Sequence, residues 1–184
     1  MELVWPAMEH LPSYVRALEE GWSPNTHRAA AAAEELARIA HDPAAFVAEQ
    51  VDREGKGPPV VQPDGSSVPR LPSIRRWMWD GAFCGVISLR WQPGTIELPP
   101  TCLGHVGYSV VPWRRGRGYA TRAVALLLPE ARAEGLPWVE LVTEATNVAS
   151  QRVIEANGGT LVERFVAPAS HGGWPALRFR IALA

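Results

Sequence analysis

Residues 104–128, GHVGYSVVPWRRGRGYATRAVALLL, decide the fold. Val106, Tyr108 and Val110 alternate with His105, Gly107 and Ser109, which reads as a strand over 105–111 that Pro112 ends. A tight basic turn follows, made of Arg114, Arg115, Gly116, Arg117 and Gly118. Beyond it Ala120, Ala123, Val124, Leu127, Leu128 and Ala131 recur at helical spacing and predict a helix over 117–134. Pro129 falls inside that span, where proline costs about 3 kcal/mol, so a kink or an early end is expected there. A helix that opens directly after a Gly-rich turn aims main-chain N–H groups and the positive end of its dipole at one point. Such a point binds a phosphate or pyrophosphate. No Gly-Lys-Ser/Thr follows, so this is not a Walker A loop, and it is not the G-x-G-x-x-G dinucleotide fingerprint either.

Outward from this stretch the pattern alternates. Toward the C-terminus it predicts a strand over 138–143, a helix over 147–157 stopped by Gly158 and Gly159, and a last hairpin from 161–166 and 176–182. Toward the N-terminus, 76–79 and 82–91 form a hairpin around Asp80-Gly81, and 92–100 is turn-rich. Residues 55–72, crowded with Gly and Pro, form a loop long enough to suggest a functional role. Helices are predicted over 12–20, over 26–40 with Thr26 as its cap, and from Asp42-Pro43 to about residue 51. The expectation is one domain over 1–184: N-terminal helices 1–54, loop 55–72 and a sheet core 73–184. The class is α+β or mixed α/β.

With 184 residues, 47% hydrophobic and 20% charged, the chain suits one ordinary globular core. A net charge of −1 argues against a nucleic-acid partner, and basic residues bunched in one turn suit a small anionic ligand instead. Cys84 and Cys102 match no zinc or redox spacing and read as buried thiols, so no metal is expected. No apolar run approaches ~18 residues, so no membrane span is expected. The first residues, with Glu2 and Glu9 and several prolines, show no secretory signal, and the default location is cytoplasmic.

Arg115, Gly118 and Ala120 fill an Arg/Gln-x-x-Gly-x-Gly/Ala pattern, and Val110 and Pro112 stand in a Val-x-Pro strand end just before it. Asn147, Ser150, Glu155 and Gly158 fill an Asn-x-x-Ser-x-x-x-x-Glu-x-x-Gly pattern after the next strand. Together these resemble the GCN5-related N-acetyltransferase (GNAT) superfamily, and the helix with Ser150 is similar to the branch of ribosomal-protein N-terminal acetyltransferases. The resemblance spans about residues 75–182 and is strongest over 104–163.

The resemblance implies a twisted mixed sheet whose fourth and fifth strands, here 105–111 and 138–143, splay to admit the pantetheine arm of acetyl-CoA. Main-chain groups of Ser109, Val110 and Val111 would bond that arm. N–H groups from Arg115 through Gly116, Arg117, Gly118 and Tyr119 to Ala120 would hold the pyrophosphate. Asn147 and Ser150 would contact the cofactor, and an N–H near Val110 would polarise the thioester carbonyl. A primary amine would attack directly; the balanced charge, and N-terminal helices and a 55–72 loop able to cover a pocket, favour a small molecule, with a protein N-terminus or lysine as the alternative acceptor.

Three groups are candidates for the base: His105, with an unperturbed pKa of ~6.5, Glu144 at the end of its strand, and Glu97. Many family members place a Tyr seven residues after the helix Asn; this chain has Ile154 there, leaving Tyr108 and Tyr119 as phenols. A catalytically silent CoA-binding module and transfer of a longer acyl group stay open, as does a homodimer. Trp22 and Trp174, in loops, are candidates to line an acceptor pocket for a cationic amine.

Overall fold

The computed structural model describes residues 1–183 apart from Thr26, Ala29 and Pro63. The chain runs β1 (Glu2–Val4), α1 (Leu11–Glu19), α2 (Ala31–His41), α3 (Pro43–Ala48), β2 (Val51–Asp52), β3 (Val60–Val61), β4 (Ser67–Val68), β5 (Ser73–Trp79), β6 (Phe83–Arg90) and β7 (Val106–Val110). It continues with α4 (Tyr119–Ala133), β8 (Trp138–Glu144), α5 (Val148–Glu155), β9 (Thr160–Val166) and β10 (Pro175–Ala182). One antiparallel sheet has the order β1-β5-β6-β7, with β2 also on β5, and a second has the order β8-β10-β9.

Period-two alternation in β5 and β6 feeds two cores. Ile74, Met78, Cys84, Ile87 and Leu89 point to the face covered by α4 and α5, where they meet Val124, Leu127, Ile154 and the inner residues of β8 and β10. Trp77, Phe83 and Val86 point to the other face and pack on Tyr14, Leu18, Trp22 and Phe46 from the N-terminal segment. On that side Arg75 donates to Glu35 at 3.4 Å and to Gln50 at 2.9 Å, and the Tyr14 hydroxyl bonds Glu35. This network ties α1 and α2 to β5.

Four expectations change. Of the kink or early end expected at Pro129, the early end is absent, because α4 runs on to Ala133. Pro129 and Ala125, whose carbonyl loses its partner, are both exposed, so water can bond that carbonyl. The fully buried Val124 and Leu127 contribute about 2 kcal/mol each, which outweighs the proline. At the N-terminus, Glu2–Val4 forms a strand on Met78 and its neighbours, in a segment too short to carry a pattern. Val51 pairs with Ile74 as a strand, so the third helix ends at Ala48, and the 55–72 loop contains the β3–β4 hairpin. Asp42 caps α3 as expected, accepting from the Ala45 N–H at 2.9 Å. Thr26, the expected cap of α2, lies outside the described residues. No helix among the described residues is long and apolar enough to cross a membrane.

The two sheets are separate because β7 and β8 share no backbone ladder. They approach at one end only. There a Cβ added to Gly104 would lie 3.0 Å from the Glu140 carbonyl, and the His105 ring accepts the Glu140 N–H at 3.1 Å. Toward Val110 the space beside β7 is unpaired, which is the splay that the resemblance implies.

Candidate active site

The basic turn is built from main chain. A short 3-10 turn over Pro112–Arg114 follows Val111, and Gly116 and Gly118 adopt left-handed φ of +74° and +73° with Arg117 on the ordinary side between them. Only glycine takes up that conformation without strain. The alternation turns successive N–H groups to one side and leads into α4, for which Gly118 is the cap residue. The N–H groups from Gly116 to Thr121 meet no acceptor among the described residues; Arg122 is the first whose N–H does, bonding the Gly118 carbonyl at 3.0 Å. A Cβ at Gly116 or Gly118 would meet nothing within 4 Å. Arg115, Gly116, Arg117 and Gly118 are exposed. Consecutive free donors at a helix N-terminus, open space over the glycines and guanidinium groups at the rim fit a diphosphate.

Ladder parity fixes which part of β7 faces the splay. Val111 donates to the Cys84 carbonyl at 3.0 Å and Arg90 donates to the His105 carbonyl at 2.9 Å. In an antiparallel ladder this turns the main-chain groups of 105, 107, 109 and 111 toward β6. The free edge therefore belongs to Tyr108 and Val110. Ser109 and Val111, expected to bond the pantetheine arm, spend their main-chain groups on β6 instead. The Val110 carbonyl accepts from Arg115 Nε at 3.1 Å, which leaves the Val110 N–H and both Tyr108 groups facing the gap.

On the far wall, Asn147 caps α5 by accepting the Ser150 N–H at 3.0 Å. Ser150 Oγ lies 2.7 Å from the Tyr108 hydroxyl. Burial pushes the Tyr108 phenol up, and the Ser150 bond offsets part of that rise. Ile154 is 1% exposed and belongs to the core. The Tyr119 hydroxyl bonds Asp80, which also lies 3.9 Å from Arg114, so this phenol braces the turn against the β5–β6 corner.

His105 is not placed to serve as a base. It is 1% exposed, its Nε2 bonds the Ile96 carbonyl at 2.9 Å, and its Nδ1 accepts the Glu140 N–H. With Nδ1 accepting, Nε2 carries the proton and donates, so neither nitrogen is free. Burial holds its pKa below the ordinary histidine value, partly offset by the Ile96 bond. The ring pins β7 to β8 at the closed end of the splay. Glu97 is exposed on its loop.

Glu144 does face a site. Its carboxylate is 3.7 Å from His27 Nε2. The His27 ring stacks on Trp174 at 5.3 Å with 8° between planes. Trp174 Nε1 donates to the His171 carbonyl at 2.8 Å. Burial lowers the His171 pKa, while nearby Asp64 at the β3–β4 hairpin raises it and His27 lowers it further. Segments around 27, 64, 144 and 171–174 thus converge at the open end of the splay. Of the two tryptophans expected in an acceptor pocket, Trp174 is there. Trp22 is 1% exposed in the N-terminal core, with its Nε1 donating to Ser109 Oγ at 2.9 Å. His27, His171 and Asp64 carried no pattern in the sequence; their signal is only that each sits in a loop.

Comparison with known proteins bears on this geometry. The model of the acetyltransferase (GNAT) domain matches residues 9–160, and the chain belongs to that family, whose enzymes take their acetyl group from acetyl-CoA. The match includes the N-terminal helices, which the sequence motifs left out. A search of the curated proteins found no match. Among solved structures the chain is similar to the microcin C7 self-immunity acetyltransferase MccE in complex with acetyl-CoA and AMP, with 12% identity and a TM-score of 0.62 over 98% of this chain and 91% of that one. It is also similar to a GNAT-family acetyltransferase from Bordetella pertussis (14% identity, TM-score 0.58, 98% and 94% covered). A third is named as a ribosomal-protein-serine acetyltransferase from Vibrio cholerae (13% identity, TM-score 0.55, 98% and 92% covered). At these identities the likeness is one of fold.

Proposed function

We propose that the protein transfers an acetyl group from acetyl-CoA to the primary amine of a small molecule, with Glu144 as the base. The observation that carries this reading is the run of free N–H groups from Gly116 to Thr121, placed where the open edge of β7 ends. Those donors would hold the pyrophosphate. Tyr108 and Val110 would hold the pantetheine arm in the manner of an added strand, and the Val110 N–H would polarise the thioester carbonyl. Holding amine and thioester together supplies much of the acceleration. Glu144 takes the proton that the attacking nitrogen must lose, and His27 beside it orients the carboxylate.

The acceptor end supports a small cationic amine. The Glu144 carboxylate and the nearby Asp64 suit an ammonium group in its resting state, and the Trp174 ring, stacked on His27, walls the site beside them. Loops from four parts of the chain close around that end, which suits a compact acceptor better than an extended polypeptide. A second reading, a CoA-binding module without transfer, is favoured by one observation: the occupied His105 ring and the buried Ile154 remove two groups that catalysis would have used. A panel of small amines and N-terminal peptides, read by release of free thiol from acetyl-CoA, separates these. Amine-dependent release with the small amines supports transfer. Release with peptides alone moves the acceptor to protein, and tight acetyl-CoA binding with no amine-dependent release supports the module.

A further inference from the structure

The face of the first sheet that meets the N-terminal segment changes character along its length. Near the β5–β6 corner Trp77, Phe83 and Val86 are buried in the core that α1 covers. Toward the other end the same face carries Arg75, Ser88, Arg90, Gly107 and Ser109, all half-buried. Arg75 is spent on Glu35 and Gln50, and its Nε lies 3.4 Å from Ser88 Oγ.

Arg90 has no such partner. Its backbone N–H bonds the His105 carbonyl, and from there its side chain leans along β7 toward the splay. A Cβ on Gly107 would lie 3.0 Å from Arg90 Nη2, so the missing side chain leaves the guanidinium its place. Among the described residues this guanidinium meets no carboxylate and no hydrogen-bond acceptor, and every other arginine without a carboxylate partner is exposed. A guanidinium drawn partly out of water ordinarily has an acceptor, and its fork matches two oxygens of a carboxylate or phosphate. The Ser88 hydroxyl, level with Gly107 across the ladder, accepts from Arg75 and still has its own hydrogen to give.

The place of this fork connects it to the acceptor end. Ser109, two residues on from Gly107 and so about 7 Å along the strand, touches the loop after α1: Trp22 Nε1 donates to its Oγ, which lies 3.4 Å from the Ser23 carbonyl. The same loop continues to His27 beside Glu144. One short loop therefore reaches from the strand under the Arg90 guanidinium to the carboxylate at the end of β8. We infer that Arg90 binds an anionic group carried by the acceptor itself, so that the substrate is an amine bearing a carboxylate or phosphate. This rests on the acetyl-transfer reading above and narrows it: Glu144 and Asp64 face the ammonium, while Arg90 and Ser88 hold the anion.

The test uses acceptors that differ only in the anion: glycine, β-alanine and 4-aminobutyrate against their amides, and 2-aminoethyl phosphate against ethanolamine. With acetyl-CoA saturating, thiol release by the parent should give a kcat/KM roughly 10- to 100-fold higher for the anionic members of one series than for their neutral twins, the range for hydrogen bonds to a charged group. The favoured series, carboxylate or phosphate, names the anion. Arg90→Gln should erase that preference through KM, with the neutral twins and the Kd for acetyl-CoA unchanged. Arg90→Lys, which keeps the charge without the fork, should retain part of it. A parent indifferent to the anion, or a preference that survives in Arg90→Gln, would overturn the inference and leave the transfer reading standing. If the parent binds acetyl-CoA yet acetylates none of these amines, the transfer reading falls, and ligand-observed NMR judges the anion site by itself. Acids that bind the parent but not Arg90→Gln keep the site; acids that bind neither protein, or both alike, remove it.

Discussion

The two ends of the splay are made differently. The cofactor end is one continuous stretch, β7 through the turn into α4, and its working groups are main-chain N–H and C=O. The acceptor end is assembled from side chains on segments far apart in sequence: His27, Asp64, Glu144, His171 and Trp174. Main-chain chemistry depends on conformation, so it tolerates most side-chain changes and fails when a glycine is filled. Side-chain chemistry depends on identity, so single substitutions there should change acceptor choice and rate while cofactor binding stays.

That contrast can be broken in several ways. The largest expected effect is at Glu144. Glu144→Gln should lower kcat by about 10²-fold or more, with the KM for acetyl-CoA unchanged; steady-state kinetics that show a parallel rise in that KM would blur the division between the two ends. Next comes the pin at the closed end. His105→Ala leaves the buried Glu140 N–H without its partner, which costs about 1–3 kcal/mol, and removes the ring's packing on Trp138; the Ile96 carbonyl, on an exposed residue, can turn to water. Denaturant unfolding should show a loss of about 2–4 kcal/mol, large enough to lower the amount of folded protein.

The same residue gives a pH signature. In the folded chain His105 has a pKa below its unfolded value, so below about pH 6.5 the unfolded state binds more protons. Its contribution is present in full above that pH and is lost as pH falls toward the folded value; His171, also lowered, adds in the same direction. Unfolding midpoints measured from pH 7.5 to 5 should fall, with a smaller slope in His171→Asn. A midpoint that rises on acidification would contradict the buried neutral ring.

Smaller effects follow. Pro129→Ala restores the missing helical N–H on the exposed side of α4 and should stabilise the chain by about 1 kcal/mol or more by thermal unfolding. Trp174→Ala removes the ring on which His27 stacks and should raise the acceptor KM several-fold while leaving acetyl-CoA binding alone.

How much of this was legible in the sequence divides along the same line. The turn, the strand before it and the Asn147 cap could be read because each is set by neighbours in sequence: glycines with positive φ, a proline stop, a side chain three residues from the N–H it accepts. The position of Trp22 could not be read in this way, because it lies on no strand and is buried by β5 and β6 residues far off in sequence, and nor could that of His105. Alternation gives the face of a strand, but here both faces of the first sheet are covered, so pointing away from one core does not mean pointing to solvent. The pairing of His27 with Glu144 depends on where the loop after α1 crosses the end of β8, which no local spacing encodes. Strand β1 is three residues long and gains its definition only from β5.

The central claim is that the open N–H groups of Gly116 to Thr121 hold the diphosphate of acetyl-CoA. Calorimetric titration of the folded protein with acetyl-CoA, run beside Gly118→Glu, tests it most directly. The account predicts micromolar binding by the parent and at least a 100-fold loss in the variant, whose carboxylate would occupy the space over the cradle, with the circular dichroism spectrum kept. No heat from the parent, or undiminished affinity in the variant, would contradict it.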